Sequence, residues 1–349
     1  MRHRRFSIRL HRVISAGGRL VIAGTWLVAL SLAAWNVLRW HPGDRWLPVR
    51  LGNYFAPWLL VAACISLCVA ALGRRRWLSG LLGISALVLG AHYWPALTPQ
   101  PVESHARTSA PAFQLKVMTF NVNYANRDAA GIAELVHSQA PDLIAFQEFT
   151  RPLGALLLPQ LAGEYPYALL DDERWTRQAL LSRYPLTDVP PPAAAWRTQR
   201  AQVQLPVGTL TVWNVHAMPA ITQSGWEEQR QALAAVAQQL SLEAGPLLVM
   251  GDFNTTDQNE NYHLVADQLI DVQRAVGWGF GFTFPDSRLY LRELPNLGPL
   301  LRIDHIFVSE DWLPMEIRVV PDGHSSDHLP LVATLGFNGS APDQAQPGS

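Results

Sequence analysis

The chain has 349 residues, of which 49% are hydrophobic and 16% charged, and its formal net charge is −1. This length suits one domain of more than roughly 200 residues plus an accessory region. The two cysteines, Cys64 and Cys68, both fall in an apolar stretch near the N-terminus. The rest of the chain therefore has no disulfide framework, thiol nucleophile or zinc–thiolate site, and cysteine usage leaves the cellular compartment open.

Three apolar stretches without Asp, Glu, Lys or Arg occupy residues 20–38, 55–72 and 77–94. A helix needs roughly 20 residues to cross the hydrocarbon core of a bilayer, so residues 1–94 are predicted to be a membrane region with three transmembrane helices. The alternative is a signal peptide followed by buried helices of a soluble domain. It is disfavoured because signal-peptide cores span about 7–15 residues and end at small residues, whereas the first stretch runs into Trp35, Arg39 and Trp40.

Arginines are distributed unequally around these stretches. Nine lie before the first stretch or between the second and third, and four lie in the first loop or in the twenty residues after Trp94. Positive residues concentrate on the cytoplasmic side of a membrane. We therefore predict a multi-pass protein of the inner (plasma) membrane, with its N-terminus in the cytoplasm and the remainder of the chain on the periplasmic side.

Two segments have the composition of irregular structure. Residues 95–112 are rich in Pro, Ser and Thr and are predicted to be an extended linker. Residues 338–349 contain Gly, Ser, Pro, Gln and Asp without periodicity and are predicted to be a disordered tail. Residues 113–337 between them are predicted to form the main folded domain.

Within this domain, apolar runs typical of strands alternate with segments typical of helices. Strands are predicted at 113–122, 142–147, 179–182, 210–215, 247–250, 303–308, 315–320 and 329–335, and helices at 129–139, 153–161 and 225–240. This alternation predicts an α/β domain, and periodicity alone specifies no further architecture.

Polar residues recur at the ends of the predicted strands. The most informative run is Gly251-Asp252-Phe253-Asn254, which follows a nearly all-aliphatic strand, together with Ser326-Asp327-His328 near the end of the domain. Other strand-end residues are Asn121, Glu148, His216 and Asp304. Each of them alone is typical of a turn or a solvated loop. Their number and order favour a single hydrolytic site.

This ordered set resembles the endonuclease/exonuclease/phosphatase superfamily, which includes deoxyribonuclease I, abasic-site endonucleases and inositol polyphosphate phosphatases. The resemblance covers about residues 113–335, and the three preceding apolar stretches resemble those of bacterial membrane-tethered members. It implies a four-layer α/β sandwich, in which two packed, mostly antiparallel sheets are flanked by helices.

The resemblance also implies roles for the strand-end residues. Asp252 would orient and deprotonate the attacking water, and Asn254 would donate a hydrogen bond to the phosphate or to the incoming oxygen. His328 would contact the phosphate as a cation or acid–base group, with Asp304 holding its imidazole. His216 would act as a further catalytic or substrate-binding residue, and its identity mildly disfavours an abasic-site repair enzyme.

Hydrolysis of a phosphate ester also requires neutralisation of charge on the phosphoryl oxygens. Mg²⁺ prefers oxygen ligands, so Glu148 with Asn121 is the predicted metal site, with Mn²⁺ as the substitute. Asp327 is predicted to bind a second metal or to position His328. Three other histidines, His263, His305 and His324, match none of these motifs and are interpreted as structural.

The substrate is only partly constrained. Residues 113–335 contain 14 Lys and Arg and 25 Asp and Glu, a formal net charge of −11. Binding of duplex DNA depends on neutralising several phosphates, so a nuclease of the deoxyribonuclease I type is the alternative and not the leading hypothesis. A lipid headgroup or small phosphate ester is favoured, with the bilayer as a partner. A non-catalytic binding module on the same fold is disfavoured because the catalytic-type residues are all present.

Overall fold

The computed structural model describes residues 2–98, 111–171, 177–286 and 298–338, and side chains from residue 17 onward. The chain forms two compact units, Met1–Trp94 and Pro95–Ser349. Most of the predicted linker, residues 99–110, and the predicted tail from residue 339 lie outside the described residues.

The N-terminal unit is helical, with α1 (Arg2–Leu38), α2 (Leu47–Tyr54), α3 (Ala56–Leu72) and α4 (Arg76–Leu97). Two segments, Gly17–Leu38 and Arg76–Leu97, are long and apolar enough to cross a membrane. The prediction of three spans is not confirmed. The middle stretch forms α3, which has only 17 residues and counts as a span only if it is taken as one with α2, from which it is bent by 81°. Pro57 in the first turn of α3 accounts for the break, since proline lacks the N–H that a continuous helix requires.

A buried polar cluster connects α1 to the loop before α2. Trp35 Nε1 donates to Asn53 Oδ1 at 3.1 Å, and Asn53 Nδ2 donates to Asp44 Oδ1 at 2.7 Å. The Arg50 guanidinium, also buried, donates to the carbonyl of Asp44. Buried polar groups are tolerated when they are paired in this way, so the cluster stabilises the short helix α2 against α1.

The second unit contains two six-stranded mixed sheets. The first has the order β11-β12-β1-β2-β4-β3, and the second β5-β6-β7-β8-β10-β9. Only β1/β2 and β7/β8 pair in parallel, and the other neighbours are antiparallel. The strands are β1 (Gln114–Asn121), β2 (Leu143–Gln147), β3 (Tyr167–Leu170), β4 (Ala179–Ser182), β5 (Leu186–Asp188), β6 (Thr198–Leu205), β7 (Gly208–His216), β8 (Leu247–Asp252), β9 (Ile270–Asp271), β10 (Asp304–Val308), β11 (Trp312–Val319) and β12 (Leu331–Phe337).

Helices cover the outer faces of both sheets. The first sheet packs against α5 (Ala129–Gln139) and α6 (Arg151–Leu161), and the second against α7 (Gln223–Leu240) and α8 (Glu260–Ala266), with a short α9 (Val272–Val276). Side chains that accept backbone N–H groups cap two of these helices: Asp128 accepts from Gly131, and Thr222 from Gly225. The arrangement is an α/β sandwich with two flanked sheets, as the family resemblance implies.

Alternation along the strands assigns each side chain to one face. In β1, Leu115 and Val117 enter the core between the sheets, whereas Met118 and Phe120 pack against the helices. The strands β3, β5, β6 and β9 are absent from the sequence-based prediction. β6 reads Thr-Gln-Arg-Ala-Gln-Val-Gln-Leu, and its alternation buries Ala201 and Val203 between the sheets.

Candidate active site

Four of the predicted site residues are inward-facing and terminal in their strands, three at the last position and Asp304 at the first position of β10. Asn121, His216, Asp252 and Asp304 continue the alternation that places Val117, Val212, Met250 and Ile306 in the core between the sheets. Pairing then brings them together: Asp252 lies opposite Asp304 in the antiparallel pair and opposite His216 in the parallel pair. One end of the inter-sheet layer therefore carries polar groups instead of aliphatic ones.

Gly251 makes this convergence possible. It has φ +147°, and a Cβ at this position would lie 2.0 Å from the carbonyl oxygen of Val215. Only glycine allows β7 and β8 to approach so closely here. The structure corrects the prediction that this strand ends at residue 250, because β8 continues in register through Asp252.

Glu148 reaches the same end of the layer from the residue after β2. Its backbone has φ +56°, which breaks the strand alternation. Oε2 accepts the N–H of Tyr124 at 2.8 Å, and Oε1 lies 3.4 Å from Asn121 Nδ2 and 3.7 Å from His216 Nε2. The side chain is 24% exposed, so this carboxylate is open to solvent, unlike Asp252 and Asp304.

Asp252 is the buried centre of the site. Oδ1 accepts the N–H of Asn254 at 2.9 Å, and Oδ2 accepts from Asn121 Nδ2 at 3.0 Å. Burial raises the pKa of Asp252 to about 7; His328 acts against this shift, and Asp304 adds to it. A carboxylate whose pKa lies near neutrality is suited to accept a proton from water.

His328 and Asp304 form a buried pair. His328 Nδ1 lies 2.9 Å from Asp304 Oδ2, and Nε2 faces Asp252 Oδ2 at 3.8 Å. Burial by itself lowers the pKa of His328. The negative charges of Asp304 and, to a smaller extent, Asp252 have a larger combined effect and raise the pKa to about 10. Asp304 Oδ1 has no hydrogen-bond partner among the described residues, although it is buried. The imidazole is thus a cation held in one orientation.

His216 is equally buried but neutral. Its Nε2 lies 3.7 Å from Glu148 Oε1 and 3.9 Å from Asp252 Oδ2. Burial, followed by the charges of Arg197 and His328, lowers the pKa of His216 to about 3. These short separations are therefore not ion pairs near neutral pH, and the ring can donate one hydrogen bond without adding charge.

The remaining predicted residues lie at the border of the site. Asn254, with φ +48°, donates through Nδ2 to the Ala217 carbonyl and to Asp252 Oδ2, so its amide also holds the central carboxylate. Asp327 accepts from Asn123 Nδ2 at 2.7 Å and adds a smaller contribution to the raised pKa of His328. Ser326, from the same motif, joins this loop to β1 by donating to the Asn121 carbonyl at 2.7 Å.

A layer of buried amides beneath the site is absent from the sequence-based prediction. Gln147 Nε2 donates to Asn214 Oδ1 at 2.7 Å and to Thr119 Oγ1, and Asn214 Nδ2 reaches Gln199 Oε1 at 3.2 Å. These side chains join the two sheets one inward-facing position below Asn121 and His216. Period-two spacing from the site residues is the signal that could have identified Thr119 and Asn214.

Arg197 is a second functional candidate that the motifs do not indicate. Its carbonyl accepts the N–H of His216 at 3.1 Å, and its guanidinium stacks on Trp196 and contacts Met218 Sδ. Burial lowers the pKa of Arg197, whereas Asp252 and Glu148 act to raise it. Arg197 adds a positive charge beside the carboxylates, in a domain that has few basic residues.

The donor groups fit a divalent cation. Ligand atoms of Asp252, Asp304 and His328 lie within 4.8 Å of one another, and Asp304 Oδ1 lacks a partner among the described residues. Because both ring nitrogens of a charged His328 carry protons, the two carboxylates are the ligands that this group can offer. Glu148 and the Asn121 amide border the same space. Carboxylate oxygens dominate this set, and they suit a hard cation such as Mg²⁺ or Mn²⁺.

His305 and Arg302 support the site from the outer face of the second sheet. His305 Nε2 lies 2.8 Å from the Thr255 carbonyl, and burial together with Arg302 lowers its pKa to about 4. Arg302 pairs with Asp271 at 2.8 Å and with Asp257 at 3.2 Å. These contacts fix the loop after Asp252, which fits the structural interpretation of His305.

Comparison with known proteins identifies relatives of this domain. The family model described as the endonuclease/exonuclease/phosphatase family matches residues 118–328. No curated protein matches the chain.

Solved structures show the same fold. The structure of an endonuclease/exonuclease/phosphatase from Beutenbergia cavernae DSM 12333 is 21% identical, with a TM-score of 0.50 over 66% of this chain and 72% of that one. D. rerio TDP2 complexed with single strand DNA product is 18% identical, with a TM-score of 0.52 over 64% and 99%. The mannosyl-6-phosphatase of Bacteroides thetaiotaomicron VPI-5482 is 20% identical, with a TM-score of 0.50 over 64% and 100%.

Proposed function

Because the chain belongs to the endonuclease/exonuclease/phosphatase family, whose members hydrolyse phosphoester bonds, we propose that it is a membrane-anchored, Mg²⁺-dependent phosphoester hydrolase. Its proposed substrate is a lipid headgroup or a small phosphate ester. The observation that carries this proposal is the buried Asp252, which lies between a charged His328 and a solvent-accessible Glu148.

Glu148 and Asn121 would hold the metal ion, with Asp327 near a second position. When bound, Mg²⁺ would neutralise negative charge on the phosphoryl oxygens. The exposure of Glu148 supports this assignment, because a cation and a substrate both need access from solvent. Asn254 and Arg197 border the same space with an amide and a guanidinium that could contact the phosphate.

Proton transfer follows from the pKa values of the buried groups. Asp252, with a pKa of about 7, would accept a proton from the attacking water. His328, charged at neutral pH, would attract the phosphate and supply a proton to the leaving oxygen, while Asp304 keeps its Nδ1–H oriented. His216 would donate a hydrogen bond as a neutral imidazole.

Charge and anchoring support the choice of substrate. A net charge of −11 across residues 113–335 disfavours the long phosphate backbone of DNA. Helices that could span a membrane would keep the enzyme near lipid-linked substrates. The arginine distribution supports an N-terminus in the cytoplasm and a catalytic domain on the opposite side.

The metal requirement can be tested on the full chain in detergent with bis(4-nitrophenyl) phosphate. Activity is expected with Mg²⁺ or Mn²⁺ and none in excess EDTA. Glu148→Gln should lower the rate by about 10²-fold and recover partly at raised Mg²⁺, because a weakened metal site is filled by mass action. Glu134→Gln, at an exposed carboxylate on α5, is the matched control, and its hydrolysis rate should equal that of the wild type. Full activity in EDTA would contradict the mechanism.

A substrate panel then tests the substrate class. Rates with bis(4-nitrophenyl) phosphate and 4-nitrophenyl phosphate separate diesterase from monoesterase activity. Phospholipid vesicles and duplex DNA separate the proposed substrates from the nuclease alternative. Faster hydrolysis of DNA than of every lipid and small ester would overturn the substrate proposal and leave the hydrolase proposal intact.

Topology can be tested with reporter fusions. A reporter active only in the periplasm should be active when fused after Ser109 and inactive when fused after Arg75. The reverse pattern would overturn the orientation, and release of the chain from membranes by carbonate would overturn the anchoring.

A further inference from the structure

A cavity of about 700 Å³ lies next to the candidate active site. Its wall includes Tyr124, whose N–H donates to Glu148 Oε2 at 2.8 Å, and Phe149 and Thr150, which directly follow Glu148. On the other side Arg177 accepts the N–H of Phe149 through its carbonyl at 2.7 Å. The cavity and the proposed metal site therefore share residues around Glu148.

Among the described residues that line this cavity, positive charge dominates. Arg127, Arg151 and Arg177 are all exposed, and Asp171 is the one carboxylate in that described set. The surrounding domain has the opposite balance, with 14 basic and 25 acidic residues between positions 113 and 335. Three guanidinium groups around one cavity would attract and hydrogen-bond an anion.

The floor of the cavity is apolar. It is formed by Phe149, Leu158 and Leu170, with the ring of Phe149 packed against α6. Gly154 allows this packing, because a Cβ there would lie 2.8 Å from Phe149 Cε1. A ligand that fills the cavity would bury apolar surface on this floor while its anionic group meets the arginines.

The first turn of α6 adds a polar contribution. Thr150 occupies the N-cap position, but its side chain caps no N–H of the helix, and its buried Oγ1 has no partner among the described residues. The N-terminus of a helix favours negative charge through its unpaired N–H groups and its dipole. The N-terminus of α6 therefore adds to the attraction that the arginines exert on an anion.

We propose that this cavity binds an anionic ester that carries an apolar group, and that it holds the part of the substrate next to the phosphate that is cleaved. The second half of this statement rests on the proposed function. The ligand chemistry is shared by two sources, an anionic membrane lipid and a soluble aryl or alkyl phosphate.

Calorimetric titration of the full chain in phosphatidylcholine nanodiscs tests the binding, with EDTA present so that no turnover or catalytic metal contributes. The probes are phenylphosphonate, which has both an anion and an apolar group, methylphosphonate, which lacks the ring, and benzyl alcohol, which lacks the anion. Phenylphosphonate should bind about tenfold or more tightly than either of the others, because only it uses both the rim and the floor.

Variants assign the binding to the cavity. Arg177→Gln and Arg127→Gln should each weaken phenylphosphonate binding by about tenfold, the usual effect of losing a charge-assisted hydrogen bond. Thr150→Val should weaken it less and leave Tm unchanged, since this hydroxyl makes no hydrogen bond with the described residues. Arg318→Gln, on β11 at the opposite edge of the sheet from β3, is the matched control.

Equal affinities for the three probes, or wild-type affinity in both arginine variants, would overturn the inference. Arginine-dependent binding without any phosphoester hydrolysis would uphold the cavity and overturn the proposed function, so the two failures are distinguishable. Nanodiscs containing phosphatidylglycerol identify the source: competition with phenylphosphonate supports a lipid headgroup, and unchanged affinity supports a soluble ester.

Discussion

Two histidines on opposite sides of Asp252 have opposite electrostatic properties. Nε2 of His328 and of His216 lies 3.8 Å and 3.9 Å from Asp252 Oδ2, and both rings are buried. Yet the pKa is about 10 for His328 and about 3 for His216. The shared carboxylate cannot explain this difference.

The difference comes from the second ring nitrogen. Nδ1 of His328 meets Asp304 Oδ2 at 2.9 Å, whereas Nδ1 of His216 has no partner among the described residues and its ring faces the positive charge of Arg197. Burial favours the neutral form of an imidazole, and a hydrogen-bonded carboxylate reverses that preference. The neighbour of Nδ1 therefore decides whether a strand-end histidine acts as a cation or as a neutral donor.

The largest expected effect is at Asp252, the group that both histidines face. Asp252→Asn should lower kcat/KM by about 10³-fold, within the range for loss of a general base. In the wild type, kcat/KM should rise with pH up to about 7 as Asp252 loses its proton, and the variant should lack this rise. Retention of more than a tenth of the activity, in a variant with wild-type Tm, would show that another group accepts the proton.

The next largest loss of kcat/KM is expected at the charged histidine, His328. His328→Gln and Asp304→Asn should each lower kcat/KM by about 10²-fold, because Asp304 acts through the imidazole that it charges. The double variant should lose little more than the worse single one, since residues that act as a unit are non-additive. Fully multiplicative losses would mean that the two residues act independently.

A smaller loss of kcat/KM is expected at the neutral histidine, His216. His216→Gln should lower kcat/KM by about tenfold and leave the shape of the pH profile between pH 5 and 9 unchanged, because a ring with a pKa of about 3 does not titrate there. His263→Gln, an exposed histidine on α8, should have no effect. A loss as large as that of His328→Gln would remove the distinction between the two rings.

The smallest effect concerns stability. The folded pKa of His328 is raised from 6.5 to about 10, so its stabilisation is complete below pH 6.5 and is lost as pH rises to about 10. Asp304→Asn should lower Tm by several degrees at pH 6, given the cost of breaking a buried pair and the usual relation of Tm to free energy. The difference in Tm between wild type and Asp304→Asn, measured by scanning fluorimetry, should become smaller by pH 10. A gap independent of pH would place the stabilisation elsewhere.

Much of the fold could be read from local patterns. The helix at Ala129–Gln139 and the strand at Ala179–Ser182 have their predicted bounds, because period and composition agree there. The strand β6 is absent from the prediction although Ala201, Val203 and Leu205 alternate with polar residues, which is the period of a half-buried strand. The middle apolar stretch has the composition of a single span, but it forms a helix of only 17 residues, α3, which is bent by 81° from α2 at its N-terminal end.

The sequence by itself determined which residues could form the site, because Asn121, Glu148, His216, Asp252, Asp304 and His328 end strands or lie in motifs that can be recognised without a structure. Only the tertiary structure decided which of these residues are charged and which are neutral. Charge depends on burial and on neighbours from other strands, such as Asp304 beside His328 and Arg197 beside His216. Likewise, the cavity beside Glu148 unites residues from four separate segments, and no local pattern encodes that proximity.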